Sequence, residues 1–394
     1  MTGNDHFIEV AHWQHRKHGQ AVHGDVFLSH RIKEEQRVIS VLSDGLGSGV
    51  KANVLASLTA TMAAKYIENY TDVKKTAEVI MDTLPVCSVR RISYSTFTIV
   101  DVAASGHTRV IEHGNPPYLL LRGCRAVEVP KQVVTLEKWQ DREVFFSEFE
   151  ANVGDRLAFF SDGVAQAAMG STAFPLGWGV ENVQTFVSAR IAQQEALSAG
   201  LLARAVADRA AELDGQVPKD DITSAVIYIR RPRRLLLVTG PPFARERDRQ
   251  LGELVRSFPG RKVICGGTTA SIVGRELGRK VVMSLEEAVD PEVPPVSRMQ
   301  GVDLITEGTL TLSRVADLLE KCSSIEGLPL HAATLLAGEL LNSDLIEFVV
   351  GTRINEAHQD PNIPMELEMR RNLVARIQRV LEEKHLKETQ RRYL

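Results

Sequence analysis

Cysteine is scarce in this chain of 394 residues: Cys87, Cys124, Cys265 and Cys322 lie far apart, and no Cys-x-x-Cys pair occurs. That excludes a zinc ribbon or a disulfide framework and fits a reducing compartment. Long apolar runs are missing too. Nothing approaches the ~20 consecutive apolar residues of a membrane-spanning helix. The opening Met1-Thr2-Gly3-Asn4-Asp5-His6 carries no apolar stretch of the signal-peptide kind. Nor is there an excess of one charge: 47 Lys and Arg against 50 Asp and Glu give a formal net charge of −3, which makes no electrostatic case for nucleic acid. These absences leave the expectation of a soluble, cytoplasmic protein with neither a membrane nor a nucleic-acid partner.

The length predicts two domains. The seam is Arg230-Arg231-Pro232-Arg233-Arg234, where a proline among four arginines cannot continue a central strand and the charges are expected in solvent. Residues 1–231 read as β-rich, with strands at 38–42, 95–100, 108–112, 118–122, 156–160 and 223–229. A helix is expected over 50–70, with Val54, Leu55, Leu58, Met62, Tyr66 and Ile67 recurring at helical spacing. Further helices are expected over 72–84 and 181–214, the latter broken near Ser198-Ala199-Gly200. Residues 234–394 instead alternate strand with helix. Strands at 235–238, 262–265, 281–283, 303–305 and 346–350 are interleaved with helices at 245–257, 270–277, 313–321, 332–341 and 365–384. That pattern predicts an α/β domain with a mostly parallel, helix-covered sheet.

Four acidic sites in the first half sit where strands end: His23-Gly24-Asp25, Ser43-Asp44-Gly45-Leu46-Gly47-Ser48-Gly49, Ser161-Asp162-Gly163 and Asp220-Asp221-Ile222-Thr223. Taken singly, an Asp-Gly is more often a turn than a ligand. Four in this order, each at a strand boundary, reverse that reading. Carboxylates held at strand ends suit hard divalent cations, and two such ions can clamp a phosphate for in-line attack.

This order resembles the PPM family of metal-dependent protein phosphatases, in the bacterial branch typified by stage II sporulation protein E. Tyr94-Ser95-Thr96-Phe97, His113-Gly114-Asn115-Pro116-Pro117 and Val153-Gly154-Asp155 support the resemblance, which covers about residues 4–231. It implies an αββα sandwich of two antiparallel sheets and hydrolysis of phosphoserine or phosphothreonine on a protein, at two manganese or magnesium ions. By that resemblance Asp44 bridges both ions, Asp25 and the Gly45 carbonyl help hold one, and Asp162 and Asp220 hold the other. Asp221 is the alternative to Asp220, or else orients a bound water. The substrate class implied is a small phosphorylated regulator such as an anti-sigma-factor antagonist. The phosphate-binding arginine of the eukaryotic enzymes has no obvious counterpart. Arg16 and Lys17 are substitutes, or simply a solvated pair.

Other signals are weaker. His12, His15 and His18 have zinc-like spacing only if the segment is helical; surface histidines, or one general acid among them, His23 and His30, are the alternatives. Arg90-Arg91 reads as a phosphoprotein contact or an exposed pair, and Cys87 and Cys124 as small core residues. In the second half, Thr239-Gly240-Pro241-Pro242, Gly266-Gly267-Thr268-Thr269, Thr306-Glu307-Gly308-Thr309 and Gly351-Thr352-Arg353-Ile354-Asn355 all follow strands. Ligands of open parallel sheets bind beyond the carboxyl ends of the strands. The Gly266–Thr269 stretch is the candidate for a small anion, with Arg353 opposite, although such loops are also routine turns. The expectation is a ligand-sensing domain that adjusts the phosphatase half. No nucleophile–base pair stands out there, His331 and His358 included. The rival function is a signalling adaptor whose second domain binds a small anion or a partner, with the phosphatase half a scaffold.

Overall fold

Strands buried on both faces read as unbroken apolar runs, and those of the first half do so for that reason. The computed structural model describes residues 6–69, 73–83, 95–134, 143–283, 296–322, 324–325, 327–353 and 363–394. Its contacts divide the chain into two units, Met1–Arg231 and Pro232–Leu394.

In the first unit the described elements run β1 (Phe7–His15), β2 (Asp25–Ile32), β3 (Arg37–Gly45), α1 (Gly49–Asn69), α2 (Val73–Thr83), β4 (Ser95–Ala103), β5 (His107–His113), β6 (Leu119–Arg122), β7 (Arg125–Val127), β8 (Gln132–Val134), β9 (Val144–Glu150), β10 (Asp155–Phe160), α3 (Asp162–Ala165), α4 (Val180–Gln193), α5 (Ala199–Leu213) and β11 (Ile222–Arg230). They form two sheets, β1-β11-β10-β6-β7 and β2-β3-β4-β5-β9-β8, and every pairing within them is antiparallel. Between the sheets lie Val38, Leu42 and Val100 from one and Leu157, Phe159, Ala225 and Ile227 from the other. The alternate residues face outward. Ile39 and Val41 meet α1 and α2, while Ala158, Phe160 and Val226 meet α4 and α5. The unit is an αββα sandwich.

Two sequence expectations are corrected here. Helix α1 buries Ala52, Ala56, Ala60, Ala63, Ala64 and Ile67, while Val54 and Leu58 are exposed. Small residues bring the helix backbone close to the sheet, so the stripe that packs is the alanine one and not the bulky one. The arginine seam is only partly solvated. Arg230 ends β11 buried, with its Nε donating to Glu9 on β1 at 2.5 Å, because the neighbouring strand supplies the counter-charge. Within the second unit, Arg233 pairs with the fully buried Asp344.

The second unit contains β12 (Arg234–Thr239), α6 (Asp248–Ser257), β13 (Arg261–Cys265), α7 (Gly267–Leu277), β14 (Val282–Met283), β15 (Ser297–Met299), β16 (Val302–Thr306), α8 (Thr309–Lys321), α9 (Ala332–Leu341), β17 (Leu345–Val350), α10 (Ile363–Glu383) and β18 (Glu388–Tyr393). The sheet order is β14-β15-β16-β13-β12-β17-β18. The run from β16 to β18 is parallel, and β14–β15–β16 is antiparallel. Leu235 and Leu237 pack with α8, α9 and α10 on one face; Leu236 and Val238 pack with α6 and α7 on the other. Helix α7 begins three residues before the position expected from the sequence, so Gly267, Thr268 and Thr269 form its first turn.

Candidate active site

Asp25 opens β2, and Asp44 is the penultimate residue of β3. They are direct antiparallel partners, so both side chains project from one face of the sheet. Asp162 enters at the start of α3, immediately after β10, and shares a hydrogen bond with Asp44. Asp220 arrives from the loop before β11, and its charge acts on both Asp44 and Asp162. Asp221 turns the other way. It is buried, accepts the Lys17 N–H at 3.1 Å, lies 3.8 Å from His23 Nδ1 and acts on Asp25.

The glycines that follow Asp44 and Asp162 are steric necessities. A Cβ on Gly45 would stand 2.1 Å from the Ala52 carbonyl oxygen, and one on Gly163 2.2 Å from that of Asp221. No side chain fits either contact, so backbone meets backbone directly behind the carboxylates.

The electrostatics follow from this crowding. Burial first, then the charges of Asp25, Asp162 and Asp220, push the Asp44 carboxyl up to about 10. Burial likewise carries Asp25 up to about 7, while hydrogen bonds from Thr223 and Ser161 pull it back. Asp162 is raised by burial and by Asp220. Ionised together, these groups hold more negative charge than their surroundings balance, and a divalent cation would relieve it. Oxygen donors are also what manganese and magnesium take. Among the described residues, no three ligating side chains close on a single point. A hard ion held by Asp25 and Asp44, with the Gly45 carbonyl and water completing its shell, needs no such triplet, whereas one held by Asp44, Asp162 and Asp220 would have to draw those three together. The donor set therefore fits divalent cations.

Sequence reasoning missed the framework behind the carboxylates. Thr223 Oγ1 donates to Asp25 Oδ2 at 2.6 Å and accepts from Gln14 Nε2 at 3.0 Å, and Ser161 Oγ accepts the Thr223 N–H at 3.0 Å. The threonine of Asp-Asp-x-Thr thus holds Asp25 across from β2; its fixed place in the motif was the available signal. Asn115 binds Thr96 and donates to Thr98 Oγ1, and Asp155 is buried against Arg122. Both are structural ties.

The histidines do not gather. β1 is a strand, so His12 and His15 point to opposite faces. His12 stacks on Phe27 and His15 bonds Asp208 at 2.7 Å. Arg16 donates to the Ala21 carbonyl, and Lys17 Nζ stands 3.5 Å from Asp220. A cavity of about 420 Å³ adjoins these residues, bordered by Gln14, Arg16, Lys17, His18 and His23. Cys124 is exposed, not a core residue, because it sits at the turn between β6 and β7. Cys87, Arg90, Arg91, Tyr94, Ile354, Asn355 and His358 lie outside the described residues. His331 caps α9.

A family model described as Stage II sporulation protein E (SpoIIE) matches residues 34–230, half of the chain. Solved structures that resemble it include the phosphatase domain of the cell-fate determinant SpoIIE from Bacillus subtilis, at 18% identity and TM-score 0.45, covering 58% of this chain and 94% of that one. The RsbU and RsbW domains of Rv1364c from Mycobacterium tuberculosis match at 19% identity and TM-score 0.44, covering 64% and 67%. RsbX in complex with magnesium matches at 16% identity and TM-score 0.41, covering 58% and 97%. A search of curated proteins found no match.

Proposed function

We propose, for a chain that belongs to the stage II sporulation protein E family of PP2C-type phosphatases in bacterial regulatory signalling, that its first unit hydrolyses phosphoserine or phosphothreonine on a protein. The observation that carries this reading is the meeting of Asp25, Asp44, Asp162 and Asp220 from four separate elements, each behind a fixed backbone contact or hydrogen bond.

Asp44 and Asp162 with Asp220, and Asp25 with the Gly45 carbonyl, would hold two manganese or magnesium ions. When bound, such ions polarise a phosphoryl oxygen and acidify water. The chain's own residues prepare the place. Thr223 donates to Asp25 and so favours its ionised form. Asp220 is assigned to the ion pair because its charge faces Asp44 and Asp162; Asp221, tied to Lys17 N–H and beside His23, serves as a positioning residue. Arg16 and Lys17 bring positive charge to the adjoining cavity, where a phosphorylated segment of the substrate would lie. A small phosphorylated regulator, such as an anti-sigma-factor antagonist, is the substrate class proposed.

The test is hydrolysis of p-nitrophenyl phosphate and of a phosphoserine peptide, with manganese, with magnesium and with EDTA. Metal-dependent turnover that disappears in Asp44→Asn supports the reading. Equal turnover in EDTA overturns it, and no turnover under any condition would favour the scaffold-and-adaptor alternative.

A further inference from the structure

The second unit has a cavity of about 200 Å³ at the carboxyl ends of its parallel strands. Gly240 follows β12, Gly266 and Thr268 follow β13, Glu307 follows β16 and Arg353 follows β17; Arg370 of α10 completes the wall. Three independent features point to a ligand here.

Two helices start at the cavity. Helix α7 has 11 residues and α8 has 13, and their N-caps, Gly266 and Gly308, offer no side chain to the first-turn amides. Free amides at a helix start favour an anion. Gly266 holds φ 121, and a Cβ on Gly267 would meet nothing within 4 Å, so the α7 turn faces open space.

Two buried oxygens at this end of the sheet lack partners, one of them in the cavity wall. Thr239 is fully buried and its Oγ1 has none. It is the register partner of Cys265, which lines the cavity, so both side chains lie on one sheet face. Glu307 also lines the cavity, and its Oε2 is likewise buried without a partner. Burial pushes the Cys265 thiol up to about 12, so the cavity wall holds no thiolate nucleophile.

Two guanidiniums and one carboxylate line the cavity: Arg353, Arg370 and Glu307. Arg370 lies directly over Gly240, where a Cβ would stand 2.6 Å from its Nη1. Only glycine leaves it that position. The charged side chains of the lining are thus two donors of guanidinium N–H groups and one carboxylate acceptor. The volume falls below the roughly 300–1,000 Å³ usual for drug-sized ligands and suits a small molecule.

We propose that this cavity binds a small phosphate ester. Its phosphate rests on the amides of Gly267, Thr268 and Thr269 between Arg353 and Arg370, and a hydroxyl or ammonium group of its body donates to Glu307.

Isothermal titration of the full chain in EDTA tests this, because the chelator keeps the first unit's carboxylates free of metal. The probes are inorganic phosphate, glycerol 3-phosphate, ribose 5-phosphate and O-phosphoserine. At least one ester should bind with 1:1 stoichiometry and about tenfold more tightly than phosphate alone. Gly267→Asp places a carboxylate in open space at a helix start, where the dipole favours it. That variant should keep its circular dichroism and melting temperature yet bind the ester at least about tenfold more weakly. Glu307→Gln should remove the ester's advantage and leave phosphate affinity unchanged. Absence of saturable binding by every probe below about 10 mM overturns the proposal. So does binding that Gly267→Asp leaves intact, or inorganic phosphate binding as tightly as each ester.

Discussion

Replacing Asp44 by asparagine should abolish activity and, without metal, make the first unit more stable. Asp44 ionises near 3.8 when exposed and at about 10 in the fold. A raised carboxyl value means that the fold favours the protonated form. Its stability contribution is complete below pH 3.8 and is lost progressively as pH rises towards 10. At pH 7 the ceiling on that loss is about 4 kcal/mol, from 3.2 pH units at about 1.36 kcal/mol each. Asp44 is half-buried, so solvent screening reduces this to about 2 kcal/mol. At about 2–4 °C per kcal/mol for a domain of this size, metal-free Asp44→Asn should melt about 4–8 °C above wild type at pH 7. At pH 5 the same arithmetic leaves about 1 kcal/mol or less. The assay is differential scanning calorimetry of both proteins in EDTA at pH 5, 7 and 8, following the transition of the first unit. A variant less stable than wild type, or a gap that does not widen with pH, would refute the claim that crowded carboxylates dominate this site.

Thr223→Val removes the hydroxyl that holds Asp25 and should weaken manganese-supported activity at least about tenfold, the loss of a hydrogen bond to a charged group; Thr223→Ser should restore most of it, and a wild-type metal titration curve for the valine variant would contradict this. Asp220→Asn should raise the metal concentration needed for half-activity far more than Asp221→Asn does, measured by titration with manganese; the reverse order would exchange their roles. Gly163→Ala should cost about 2 kcal/mol or more, since its methyl cannot clear the Asp221 carbonyl, and an unchanged denaturation midpoint would show that the turn can yield. EDTA should stop turnover and iodoacetamide should not, because the exposed Cys124 sits beside the start of β10 while Asp162 follows its end; the opposite pattern would call for a cysteine nucleophile.

Legibility followed burial. Strands β3, β4 and β10 lie inside the sandwich with both faces covered, and their apolar runs announced them. β1 and β2 interleave Glu9, His12, Ser29 and His30 with apolar residues, are only partly buried, and gave no such run. Asp25 was nevertheless picked out, because it was read from motif order and not from strand pattern. β18, Glu388–Tyr393, is mostly charged or polar and, among the described residues, pairs with β17 alone, so sequence periodicity has nothing to report. Among the carboxylates, the motifs name Asp25, Asp44, Asp162 and Asp220 and leave open how they face. Only the fold turns Asp220 and Asp221 apart, and Gln14 contributes through a cross-strand position opposite Thr223 that no local pattern marks.

The direct pairing of Asp25 with Asp44 also has a consequence for the order of folding. β2 and β3 are joined by the short Lys33–Gln36 connection, so their hairpin closes over little chain and can form early. Asp162 and Asp220 lie more than a hundred residues further along and reach the hairpin only when the second sheet docks. Each carboxylate pair is thus made at a different stage, and the repulsion between pairs falls on the last step. Refolding in low pH or with divalent cations should therefore accelerate sheet docking and leave hairpin closure unchanged. The carboxylates proposed to hold metal would then also weigh on the docking of the two sheets.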